Sequence, residues 1–147
     1  MLNNHSFLSN SIFGLDAVSK SEILTERLNE LSLHHYNHCA GYKKILDAMN
    51  FNVGSSVEYH NIPFLPVGLF KQHDLLSIEK SEIIKTMTSS GTTGQQVSRI
   101  FLDRDTAKLQ TNALAKIVGS YLGKSRHPMI IIDSSDVVKD RSIIIIG

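Results

Sequence analysis

Tryptophan is absent from this 147-residue chain, aromatics make up only 7% of it, and Cys39 is its single cysteine. A lone thiol excludes an internal disulfide and fits a reducing, cytoplasmic setting. Neither sign of charge dominates. Fifteen Lys and Arg against 14 Asp and Glu leave a formal charge of +1, so the basic footprint of a nucleic-acid-binding protein is missing. Long apolar runs are missing too. "PMIII" and "IIIIG" fall far short of the roughly 20 residues that a membrane-spanning helix needs. The opening "MLNNHSFLSNSIFGLDAVSK" lacks the basic region and apolar run of a signal peptide. There is no internal repeat and no low-complexity tract. What remains, 41% hydrophobic and 20% charged, suits one globular domain able to bury a core without staples.

The apolar spacing predicts helix from about Ser19 to Asn50, with a break near Gly41. Ile23, Leu24, Leu28 and Leu31 share one stripe with the aliphatic stem of Arg27, and Ser19 with Glu22 has capping-box spacing. Turn-forming "NFNVGSS" closes the helical region. In "IPFLPVGLFKQHDLLSI", Pro63 and Pro66 favour an extended segment, with Phe64, Leu65, Val67, Leu69 and Phe70 pressed onto the core. "EIIKTMTSS" and "VSRIFLD" read as two strands, most simply an antiparallel pair. A helix over "DRDTAKLQTNALAKIVGSYLGKS" follows, capped by Asp103 or Asp105 and closed by Gly123. Its apolar face is Leu114, Ile117, Val118, Tyr121 and Leu122. "PMIIIDS" and "RSIIIIG" suit buried strands. The expected fold is α/β: N-terminal helices, then a mixed sheet with a crossover helix.

Between the two strands lies "TMTSSGTTGQQVS". Hydroxyl groups crowd around Gly91 and Gly94, and the loop itself spans Ser90 to Gln96. One reading is a flexible polar hairpin loop. The other is a phosphate cradle, in which glycines let backbone amides turn inward and short hydroxyls donate to phosphate oxygens. It is not a Walker A loop, since no Lys-Ser or Lys-Thr pair follows the second glycine, and no Gly-x-Gly-x-x-Gly fingerprint is present.

The wording of the run resembles the phosphate loop of adenylate-forming enzymes. Its doubled serine is similar to the branch that holds phenylacetate–CoA ligases and LuxE-type acyl-protein synthetases. Further segments resemble the LuxE family: "SGTTGQQVSRIFLDRDT", the proline-rich "IPFLPVGLFKQHDLLS", "SIFGLDAV" followed by "LHHYNHCAGYKKILD", and "HPMIIIDSS". The resemblance runs from about Ser11 to Gly147 and implies the start of the adenylate-forming large domain. It implies ATP, with Mg2+, as co-substrate, and a fatty acid or other carboxylate activated as an acyl-adenylate. Transfer to a protein thiol follows, with a fatty-acid reductase as the kind of acyl-accepting partner. On this resemblance Thr88, Ser89, Ser90, Gly91, Thr92, Thr93 and Gly94 hold phosphate, and Phe70 and Lys71 lie near the substrate. Many relatives carry a lysine just after the second glycine. Gln95 and Gln96 stand here instead, and Lys71, Lys85 or Arg99 are the cations near enough in sequence to replace it.

Family members are more than twice this long. Their nucleotide-base motifs, lid lysine and acyl-accepting cysteine lie beyond the matched part, and Cys39 does not correspond to that cysteine. The expectation is therefore an N-terminal portion, residues 1–147, that does not complete adenylation alone. The alternatives are a phenylacetate–CoA-ligase-like enzyme and a non-catalytic remnant or binding module.

Other polar clusters compete. In "HHYNHC" the pairs His34/His38 and His35/Cys39 have helical spacing for a metal, but they face different directions and lack an acidic partner. Polar histidines around a small buried Cys39 are the simpler reading, and no metal site is assigned. Asp133, Ser134, Ser135 and Asp136 read as a strand-ending turn, and His73 with Asp74 as solvated residues. No Gly-x-Ser-x-Gly elbow supports a serine hydrolase.

Overall fold

The structure is a computed structural model that describes residues 13–89, 97–123, 125, 128 and 130. Helix α1 spans Ala17–His38 and helix α2 spans Ala40–Ala48. The cap of α1 is Asp16 rather than Ser19. Its carboxylate accepts from the amides of Val18 (2.9 Å) and Ser19 (3.0 Å), and the Ser19 hydroxyl donates to its other oxygen at 2.8 Å. The helix therefore starts three residues earlier than a Ser19 cap would place it, and its first orphan amides, those of Val18 and Ser19, fall to Asp16. These bonds, chiefly those from Ser19, hold the Asp16 carboxyl below its ordinary range.

The helical break falls at Cys39, two residues before the expected Gly41. Cys39 is extended (φ −123°, ψ 102°) and buried. Its amide still donates to His35 O at 2.8 Å, while its carbonyl accepts from Lys43 N at 2.9 Å and its Sγ from Tyr42 N at 3.4 Å. One residue thus ends α1 and starts α2 without leaving its backbone groups unpaired. Gly41 lies inside α2 for a packing reason. A Cβ there would meet Leu75 Cδ2 at 2.9 Å, closer than carbon atoms tolerate. Below it, Leu46 is fully buried. Asn50 takes a left-handed turn (φ 52°), and Phe51 N donates back to Leu46 O at 3.0 Å. Asparagine adopts that conformation readily.

The chain then returns along α1. Asn29 donates to Val57 O (2.7 Å) and accepts from Val57 N (3.2 Å), and the amide of Tyr59 donates to Thr25 Oγ1 at 3.1 Å. Beyond residues 62–66, the expectation of a wholly extended proline segment fails: Leu69–Gln72 form the short helix α3. Pro66 restricts itself and Leu65 before it, but its carbonyl is free to accept from Leu69 N at 3.0 Å and begin a turn. Nor do all five apolar residues press inward. Leu65, Leu69 and Phe70 are half-buried, whereas Phe64 and Val67 are 84% and 68% exposed. Phe64 lies in the stretch before Pro66 and Val67 in the turn after it, and both face solvent.

Strands β1 (Lys85–Thr88) and β2 (Arg99–Leu102) pair antiparallel, as expected, with Lys85 opposite Leu102 and Thr88 opposite Arg99. Helix α4 spans Arg104–Leu122. Of the two candidate caps Asp103 serves, accepting from Thr106 N at 2.8 Å, and Gly123 closes the helix at φ 78°. Gln110 on α4 reaches β1, donating to Met87 Sδ at 3.2 Å. The described residues are therefore α/β in the general sense, helices with a two-stranded antiparallel sheet. The expected strands "PMIIIDS" and "RSIIIIG", and with them a mixed sheet, fall almost wholly outside the described residues. No described helix is long and apolar enough to cross a membrane.

Candidate functional site

The glycine and hydroxyl run leaves β1 and rejoins β2, so the ladder between the strands fixes its root. Beyond the last register pair, Ser89 N donates to Ser98 O at 3.2 Å, and Ser98 N donates to Ser89 Oγ at 3.0 Å. Ser89 thus closes the neck from both its backbone and its side chain, while its hydroxyl hydrogen stays free to donate elsewhere. Thr88 is exposed at the same end of β1. Ser90, Gly91, Thr92, Thr93 and Gly94 lie outside the described residues.

Ser98 was not anticipated. Its side chain is buried, and its Oγ has no hydrogen-bond partner among the described residues. A buried hydroxyl left unpaired costs about 1–3 kcal/mol, so such a group calls for a partner, whether a water, an ion or a ligand. Only its place, two residues after the loop, could have signalled it in the sequence.

The three candidate cations separate clearly. Lys85 Nζ lies 3.5 Å from Gln110 Oε1, at the far end of β1. Lys71, half-buried like Phe70, sits on α3, which packs against β2. Arg99 stands opposite Thr88, and its Nη2 contacts Asp74 Oδ1 at 2.8 Å. Asp74 is therefore more than the solvated neighbour of His73 that its sequence context suggests. The pairing joins residues far apart in the chain, which local spacing cannot reveal.

The histidine cluster forms its own local network. His34 and His38 stack with ring centres 4.4 Å apart, and His38 Nδ1 donates to His34 O at 2.7 Å. His35 Nδ1 and Ser77 Oγ share a 2.7 Å hydrogen bond. Burial first, then the neighbouring histidines, pushes the His35 imidazole below its ordinary value. His34 moves the same way, through burial, His38 and Arg27, against the pull of Asp103. Among the described residues no group of three or more His, Cys, Asp or Glu converges on a metal position. Asp133 to Asp136 lie outside the described residues.

A family model described as acyl-protein synthetase, LuxE, matches residues 4–141. The chain belongs to this family. The matched span contains the glycine and hydroxyl run, the proline segment and, among the described residues, strands β1 and β2 and helices α1 to α4. LuxE membership supplies the activity class, acyl-protein synthetase, with a fatty acid and an acyl acceptor as the family's reactants. No curated protein and no solved structure matches the chain.

Proposed function

We propose that this LuxE-family chain takes part in ATP-dependent activation of a fatty acid or related carboxylate, with residues Thr88 to Gly94 holding the nucleotide's phosphates. The observation that carries the reading is the root of the loop. An antiparallel strand pair, closed by Ser89 and Ser98, presents the hydroxyl and glycine run from a fixed base. The buried Ser98 hydroxyl, without a hydrogen-bond partner among the described residues, adds a further donor near the neck. Polyphosphate is rich in acceptors and suits such a donor set.

In this scheme the carboxylate oxygen attacks the α-phosphorus of ATP. A P–O bond forms, the bond to the β-phosphate oxygen breaks, and pyrophosphate leaves. The loop contributes position and charge stabilisation to the leaving phosphates. Each hydrogen bond to a charged oxygen adds about 1.5–3 kcal/mol. Mg2+ enters with the nucleotide, since phosphate oxygens and water satisfy its coordination. A protein thiolate then attacks the acyl carbon, the C–O bond to AMP breaks, and AMP leaves as the thioester forms, with a fatty-acid reductase as the kind of acceptor. Phe70 and Lys71 on α3 remain the weaker candidates for contact with the carboxylate substrate.

Titration of the chain with Mg·ATP tests this directly. Saturable binding is expected, weakened about ten-fold or more when Thr92 and Thr93 are both changed to alanine. An unaltered affinity in the double variant would remove the loop from the site, and absent ATP binding would sink the reading altogether.

A further inference from the structure

We propose that the cleft between the end of α2 and residues 62–66 binds the hydrocarbon chain of the fatty acid. The inference rests on the carboxylate-activation reading above and deepens it, by giving the substrate's tail a place. The cleft has a volume of about 590 Å³, within the roughly 300–1,000 Å³ of small-molecule sites. Ile45 and Met49, four residues apart and so on one side of the helix end, form one wall. Ile62, Pro63, Phe64 and Leu65 form the other. Phe64 and Met49 are 84% and 52% exposed, so a chain laid between them takes apolar surface out of water.

Two observations select an acyl chain as the occupant. The first is chemical. Proline has no amide hydrogen, so Pro63 and Pro66 leave the second wall poor in donors for a polar ligand. His60, where that wall begins, is already engaged with Glu58 at 3.4 Å. The prolines also fix the backbone of the wall before anything binds, which lowers the cost of ordering it around a flexible chain. The second observation is continuity with the proposed site. The Pro66 carbonyl accepts from Leu69 N at 3.0 Å, so the wall passes within one turn into α3. That helix carries Phe70 and Lys71 and packs against β2. In this arrangement the carboxylate end of the substrate lies toward α3 and the methyl end toward His60.

The test is calorimetric titration of the full chain, without nucleotide, with octanoate, decanoate, dodecanoate and tetradecanoate below their micelle concentrations. Binding at a single site is expected, with affinity rising about two- to four-fold for each added methylene until the cleft is filled. Met49→Glu and Phe64→Glu, at exposed positions where Tm is expected to hold, should each weaken dodecanoate binding about ten-fold or more, and Met49→Leu should retain it. Val118→Glu, on the exposed stripe of α4, is expected to leave binding unchanged. No binding of any of the acids, affinity independent of chain length, or parental affinity in both glutamate variants overturns the proposal. A loss in Val118→Glu alone also overturns it, by moving the chain to α4, and so does a loss that follows a fall in Tm. Sedimentation of the ligand-free chain tests another occupant: a dimer that Met49→Glu and Phe64→Glu dissociate would make the cleft a seat for a second copy and overturn the acyl assignment. Failure here leaves the phosphate loop standing, because no nucleotide is present. A chain that binds dodecanoate but not Mg·ATP keeps the cleft and loses the loop.

Discussion

Helices α1 and α4 each begin on an aspartate whose carboxylate accepts from first-turn amides, Asp16 and Asp103, and they diverge in what their flanks touch. Helix α1 packs against α2, holds the returning backbone through Asn29 and Thr25, and reaches Ser77 through His35. Helix α4 is anchored near its start, where Gln110 meets β1. Farther along, Leu114, Ile117, Val118, Tyr121 and Leu122 are all exposed, Tyr121 by 74%. The five residues form the expected stripe, which stays exposed among the described residues even where Phe13 meets the Tyr121 ring edge-on at 6.1 Å. The difference separates two contributions. Caps and propensity suffice to define a helix, whereas covering its apolar face depends on partners elsewhere in the chain.

The largest test of this contrast is Leu46→Ala on the packed side. Leu46 is fully buried beneath the α1–α2 joint, so truncation is expected to cost about 2–5 kcal/mol in denaturant unfolding. A cost below 1 kcal/mol, on the order of a surface change, would dissolve the distinction between the two regions.

Acid should also act mainly on the packed side. The folded chain depresses the pKa of both His34 and His35, so the unfolded chain binds protons more readily. Their contribution to stability is present above the ordinary imidazole value of about 6.5 and is lost as pH falls through the folded values. Tm is expected to drop between neutral pH and pH values below that point, and His35→Gln to flatten the slope. A slope unchanged in that variant would place the acid sensitivity elsewhere.

The smallest expected effect is on α4. Val118→Thr should alter stability by no more than about 0.5 kcal/mol, as at other uncovered surface positions. A loss above about 1.5 kcal/mol would show that the stripe is covered in solution, and the contrast between the two helices would then be one of partner rather than of burial.

The readable and unreadable parts of this protein divide along sequence distance. The strand pair around the hydroxyl run, the Asp103 cap and Gly123 were legible because each depends on residues a few positions apart. Asp16 was overlooked in favour of Ser19 because both have cap chemistry, and the winner depends on where the first helical turn begins. Hydrophobicity alone places Phe64 and Val67 inward, but the backbone path on either side of Pro66 turns both to solvent. At the candidate site, the loop was visible through its composition and its likeness to a known family. The Asp74–Arg99 contact and the unpaired Ser98 hydroxyl arise from tertiary placement and left no local signature.

The buried joint at Cys39 has an experimental consequence. As the sole thiol in the chain, and one shielded between two helices, it turns a thiol-reactive dye into a clock. The rate of labelling under native conditions measures how often the α1–α2 corner opens. The same reaction, followed with and without Mg·ATP, tests whether the proposed nucleotide site is felt at that corner.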